Sequence, residues 1–174
     1  MDVVDALIEH HGVLRKLADQ AEGDATAFEE FRRHLVVHHT MEEKYFYDFL
    51  QQIASARKDS LEAVNEHHII ELILKDAEDF PPEHERFAIK VEGLGEYTAH
   101  HLDEEEADIF PMARQLFAAS DLSALGGLFL EAKDTLLNVG LPQAPSGIDT
   151  TGSGAAKSLA RGLGIGSLKK MTRR

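Results

Sequence analysis

The sequence predicts an all-α fold: an up-down four-helix bundle with an additional C-terminal helix and a flexible basic tail. Three observations predict it. Apolar residues recur at three- and four-residue spacing almost throughout the first 140 residues, no stretch alternates with strand period, and short breaks separate long periodic segments. Short connections between long helices make neighbours antiparallel.

The elements follow in order. A first helix is expected from about Asp2 to Ala21, ended by Gly23 and Asp24. Thr26 and Glu29 form a capping box opening a second helix that reaches about Arg57. Asp59 and Glu62 open a third in the same way, stopped by Pro81-Pro82. A fourth runs from about Glu83 to Ser120, bent or interrupted near Gly93, Gly95 and Pro111, and Asp121 caps a fifth that ends near Val139. The domain boundary falls near residue 140. Residues 1–140 form the bundle with its appended helix, and 141–174 form a Gly/Ser/Pro-rich linker and basic tail.

Composition narrows the function. The chain has 174 residues, 18 Lys+Arg against 31 Asp+Glu, ten His and no Cys. Zero cysteine excludes disulfide frameworks, iron–sulfur clusters and thiol nucleophiles. No apolar run approaches the roughly 20 residues of a membrane span, and the acidic N-terminus lacks a signal-peptide pattern, so a soluble cytoplasmic protein is expected. The net charge of −13 opposes nucleic-acid binding by the bundle. The charge is uneven: residues 143–174 carry +5 and the remainder −18. No partner is assigned to the tail, whose composition suits disorder.

Eight of the histidines stand in four His-His pairs, one per long helix. The chain also repeats itself: residues 5–17 (DALIEHHGVLRKL) resemble 62–74 (EAVNEHHIIELIL), and 38–43 (HHTMEE) resemble 100–105 (HHLDEE). Two similar hairpins facing each other bring four histidine-bearing turns to one level. Adjacent helical residues lie about 100° apart, so one histidine of each pair points at the axis. His10 falls on the stripe Val3, Leu7, Leu14, Leu17, with His11 flanking it. His38, Glu42 and Tyr45 interrupt a stripe of Phe28, Phe31, Leu35 and Phe49. His67 lies with Ala63, Ile70 and Leu74, and His101 with Glu105 lies between Leu94 and Met112. The inward set is therefore His10, His38, Glu42, His67, His101 and Glu105.

A single inward histidine is ordinarily a satisfied core residue. Four imidazoles and two carboxylates at one level are different, because an apolar core offers the carboxylates no partner and burying them costs several kcal/mol each. A bound cation reverses that cost. Imidazole with carboxylate and no thiolate suits iron, manganese or zinc, and six ligands exceed one tetrahedral zinc. Two six-coordinate ions, bridged by both carboxylates and an oxo or hydroxo group, would keep about two positions open. The expected cofactor is two non-haem iron ions. The ferritin-like Glu-x-x-His and the metalloprotease His-Glu-x-x-His motifs are both absent.

The ordered set His … His-x-x-x-Glu … His … His-x-x-x-Glu resembles the hemerythrin-like HHE cation-binding family over about residues 1–120. Supporting detail lies in Glu9-His10, Glu66-His67 and the run from His101 to Pro111, although Asp48 replaces the matching proline of the first half. The resemblance implies a non-haem di-iron centre held by the six residues named, and members that bind oxygen, handle peroxide or nitric oxide, or sense iron and oxygen. Oxygen-carrying hemerythrins have a second histidine one turn after the third-helix ligand, where this chain has Glu71.

Tyr45, three residues after Glu42, is expected to reach the metals as hydrogen-bond donor, phenolate or relay, with Tyr97 the other candidate. His34 and His84 read as surface residues, and Glu104 and Glu106 as outer-shell or surface. The expected function is binding of, or action on, O2, H2O2 or NO, foremost catalase-like peroxide handling in oxidative or nitrosative stress. The alternatives are reversible O2/NO binding or iron/oxygen sensing without turnover, and a metal that only staples the bundle.

Overall fold

The computed structural model describes residues 1–139, and the expected linker and basic tail lie outside the described residues. α1 spans Val3–Ala21, α2 Ala25–Glu42, α3 Arg57–Glu78, α4 Glu85–Glu104 and α5 Ala119–Val139. α2 continues through a π-helical turn, Glu43–Tyr47, into a short α turn, Asp48–Leu50. α4 likewise continues through a π-helical turn, Glu105–Ile109, into Phe110–Leu116. No strand occurs among the described residues.

The helix starts are set locally. The Asp2 side chain accepts from the Asp5 amide at 2.9 Å and opens α1. Asp24, rather than the expected Thr26 box, opens α2 by accepting from the amides of Thr26 and Ala27. His84 opens α4 through its Nδ1, which accepts from the Arg86 amide at 3.1 Å. α4 runs unbroken through Gly93 and Gly95. Its irregularity is the π turn, which falls just before Pro111 rather than at the glycines. A proline has no amide to complete the ladder, and the wider turn precedes it.

α1 packs on α2 and on α4, α3 packs on α4, and α3 also meets α2 and its π turn, closing the four-membered bundle. α5 lies against both α1 and α2, so α1 is covered on three sides. The approach of α5 to the chain start is close enough that Gly126 is required: a Cβ there would sit 2.5 Å from the Met1 carbonyl oxygen.

The apolar core is in two parts. One cluster holds Leu7, Met41, Phe46, Phe49, Phe110 and Phe129, and the other Leu14, Phe31, Leu35, Ile70, Leu74 and Leu94. Along each bundle helix the residues between them are the histidine and glutamate turns. A buried polar layer therefore crosses the middle of the bundle.

Candidate metal centre

Each bundle helix contributes to that layer. α1 brings His11, α2 His38 and Glu42, α3 His67, and α4 His101 with Glu105 at the start of its π turn. Histidine and glutamate four residues apart lie on one helix face, which is why α2 and α4 each deliver a pair. Two sets arise, each with its donor atoms within 4.8 Å of one another: His11, His38, Glu42 and Glu105, and Glu42, His67, His101 and Glu105. The two carboxylates belong to both sets and lie between two pairs of imidazoles. His38 Nε2 is 3.2 Å from Glu42 Oε2, and His101 Nε2 is 3.2 Å from Glu105 Oε1. His67 Nε2 lies 3.5 Å from Glu42 Oε2, and His11 Nε2 lies 3.4 Å from Glu105 Oε2. All six residues are at most 2% exposed.

The far side of each imidazole is held. His11 Nδ1 meets Glu106 at 2.9 Å, His67 Nδ1 meets Glu43 at 3.0 Å, and His101 Nδ1 meets Glu66 at 2.7 Å. His38 Nδ1 meets His10 Nδ1 at 3.2 Å, and His10 Nε2 meets His34 Nδ1 at 3.1 Å. An imidazole whose Nδ1–H is engaged by an acceptor presents an unprotonated Nε2, the form that coordinates a metal.

The sequence expectation places His38, Glu42, His67, His101 and Glu105 where the structure brings them together, but it differs at α1. His10 is turned away from the carboxylates, toward His34 and the Phe129 ring of α5, and His11 takes the inward place. The reason is α5. The apolar stripe of α1 serves two partners, the bundle axis and α5, so its midline does not mark the axis. His34, expected at the surface, is half-buried in the same chain of imidazoles.

The tyrosine expectation also changes. Tyr45 is half-buried under Lys44, and Tyr97 is 56% exposed; neither reaches the layer. Tyr47 does, fully buried, with its hydroxyl donating to Glu105 Oε1. In an unbroken α-helix Tyr47 would lie about 140° round from Glu42. In the π turn the amide of Asp48 reaches back five residues to Glu43, which widens the turn and swings Tyr47 inward.

His39 is a further buried residue that the sequence reading set aside. Its ring stacks on His67 with centroids 4.0 Å apart, and among the described residues neither of its nitrogens has a hydrogen-bond partner. Glu71 stands outside both donor sets, with its Oε1 3.7 Å from His39 Nδ1.

Electrostatics split the layer. Burial and the neighbouring His38 push His11 down to about 3. Burial and the same His38 also drive His10 down, and burial with His67 does so for His39. At His67 burial is outweighed by the adjacent Glu42 carboxylate and the hydrogen bond to Glu43, which raise it to about 9. At His101 it is outweighed by the adjacent Glu105 carboxylate and by the hydrogen bond to Glu66, which raise it to about 10. Burial, then the charges of Glu105 and Glu42, hold the Tyr47 phenol well above its usual value, so it is a donor, not a phenolate.

The residues fit a cation. The Nε2 atoms of His11, His38, His67 and His101, both oxygens of Glu42 and Oε2 of Glu105 have no hydrogen-bond partner among the described residues. Each such buried atom costs roughly 1–3 kcal/mol, and all of them point at one place. Nitrogen and carboxylate donors without thiolate select iron, manganese or zinc over calcium or magnesium.

The fold and the donor set define a helical-bundle cation-binding protein. The model of the hemerythrin HHE cation binding domain matches residues 2–113, and the chain belongs to that family. No curated protein and no solved structure matches the chain. Among the described residues, no helix is long and apolar enough to cross a membrane.

Proposed function

We propose that the bundle binds two non-haem iron ions and acts on a dioxygen species, with hydrogen peroxide the foremost substrate. The observation that carries this reading is the convergence of four unpartnered imidazole nitrogens on two shared, buried carboxylates. His11 and His38 would hold one ion, His67 and His101 the other, and Glu42 and Glu105 would bridge them. An iron pair supplies two electrons reversibly, so that one peroxide is reduced to water and a second is oxidised to O2.

The chain's own residues set the conditions. Glu106, Glu43, Glu66 and His10 fix the ring orientations through Nδ1. Tyr47 takes the part expected of Tyr45: its hydroxyl pins Glu105 Oε1 and keeps a proton beside the bridge. Glu71 stands where a further histidine would complete an oxygen carrier, which favours turnover over carriage.

The test is metal analysis with an optical spectrum on protein grown with added iron, followed by O2 evolution from peroxide. About two irons per chain with oxo-bridge bands in the near-ultraviolet support the pair. Oxygen evolution no faster than from free iron or metal-free protein refutes the peroxide reading. The enclosure of all six donors favours a second reading, in which O2 or NO binds without turnover. A reversible spectral change with NO, in protein that evolves no O2, would establish it instead.

A further inference from the structure

The two metal positions share their carboxylates but not their surroundings. Behind His67 and His101 stand Glu43 and Glu66, each bonded to an Nδ1, and among the described residues no lysine or arginine pairs with either. Behind His11 stands Glu106, which also accepts from Arg15 at 2.8 Å, and Arg15 in turn bridges to Asp103. Behind His38, among the described residues, stands no carboxylate but the His10–His34 chain, and Lys133 lies over the Phe129 ring that packs on His10. A carboxylate on Nδ1–H increases the donor strength of Nε2, and an arginine sharing that carboxylate removes much of the gain. His39, stacked on His67 with both nitrogens unpartnered, adds a nearby donor on the same side.

We propose that the positions are unequal: the one between His67 and His101 fills first and holds its ion, and the one between His11 and His38 exchanges. This rests on the paired-iron reading above. A chain holding one iron is then the resting form, and the pair assembles only as iron becomes plentiful. The occupancy of the His11–His38 position makes any activity of the pair depend on iron supply.

The experiment loads the full chain with ferrous iron without oxygen, adds excess EDTA, and follows protein-bound iron with time. One iron should leave at least about tenfold faster than the other, since outer-shell partners change metal affinity roughly 10–100-fold. His11→Ala should keep the slow iron, and His101→Ala should lose it. The double variant Glu43→Gln/Glu66→Gln, altered only in the outer carboxylates, should release the slow iron roughly 10–100-fold faster. Departure of both irons in one phase, or a slow phase indifferent to the double variant, overturns the inference and leaves the pair standing. Uptake of no more than one metal per chain at saturating iron refutes the pair and this inference with it. The wild-type kinetics decide the matter even if a histidine variant fails to fold.

Discussion

Replacing Tyr47 with Phe removes one oxygen from a fully buried side chain and opens almost no cavity, so its cost isolates a single hydrogen bond. The bond is charge-assisted, from a phenol to the Glu105 carboxylate, and such bonds contribute about 1.5–3 kcal/mol. For a chain of 174 residues each kcal/mol shifts the melting temperature by roughly 2–4 °C, so Tyr47→Phe should lower it by roughly 3–12 °C. Tyr45→Phe, at a half-buried site with no hydrogen bond, should fall within about 0.5 kcal/mol of the parent. Thermal melts by circular dichroism, on metal-free and iron-loaded protein, make the comparison. The iron-loaded spectrum of Tyr47→Phe should also differ from the parent, because Glu105, the carboxylate proposed to bridge the ions, has lost its donor. If Tyr45→Phe proved the costlier change, or Tyr47→Phe left both stability and spectrum unaltered, the inward swing produced by the π turn would be refuted.

Three more predictions follow from the geometry. His11→Ala should take up one metal fewer per chain, whereas His10→Ala should retain both but bind the His38 ion roughly 10–100-fold more weakly, as equilibrium dialysis would read. In metal-free protein His67 and His101 have folded values raised to about 9 and 10 above an unfolded 6.5, so the stability they contribute is present below pH 6.5 and disappears as pH rises through 9–10. His11 is depressed to about 3, so its contribution is present above pH 6.5 and is lost as pH falls toward 3, at a limiting slope of about 1.4 kcal/mol per unit. Metal-free melts should therefore peak near neutrality, and a profile rising steadily to pH 10 would contradict the assignment. Gly126→Ala should cost about 1–3 kcal/mol by driving a methyl into the chain start, while Gly127→Ala, with open space around it, should not destabilise.

Much of this protein is legible in its sequence because amphipathic periodicity is strong and the His-x-x-x-Glu spacing obeys α-helical geometry. The bundle helices, the appended fifth helix and five of the six residues expected in the buried polar layer can be read from spacing alone. His11 and Tyr47 could not be read that way, and the two reasons differ. His10 sits on the better apolar stripe, but that stripe is also the seat of α5, and no local feature of α1 announces a second neighbour. Tyr47 requires a π turn, which rests on hydrogen bonding spanning five residues and leaves no mark in hydrophobic periodicity. The internal repeat offered a partial hint, since both π turns occupy equivalent places after the histidine pair. The same repeat also misleads by one residue: it aligns His38 with His100, yet His100 is 73% exposed and His101 is the one in the donor set.

The polar layer between the two apolar clusters has a mechanical consequence. Without metal, buried polar atoms that lack hydrogen-bond partners form a seam across the bundle, and each oil-like half is anchored by its own aromatic residues. Such a seam is a natural fault line, and the halves on either side can breathe as separate cooperative units. Ions bound at the seam rivet all four helices at once. Backbone amides on both sides should then exchange with solvent as one block in loaded protein and as two in the metal-free chain. Filling the layer thus turns a jointed rod into a single stiff one.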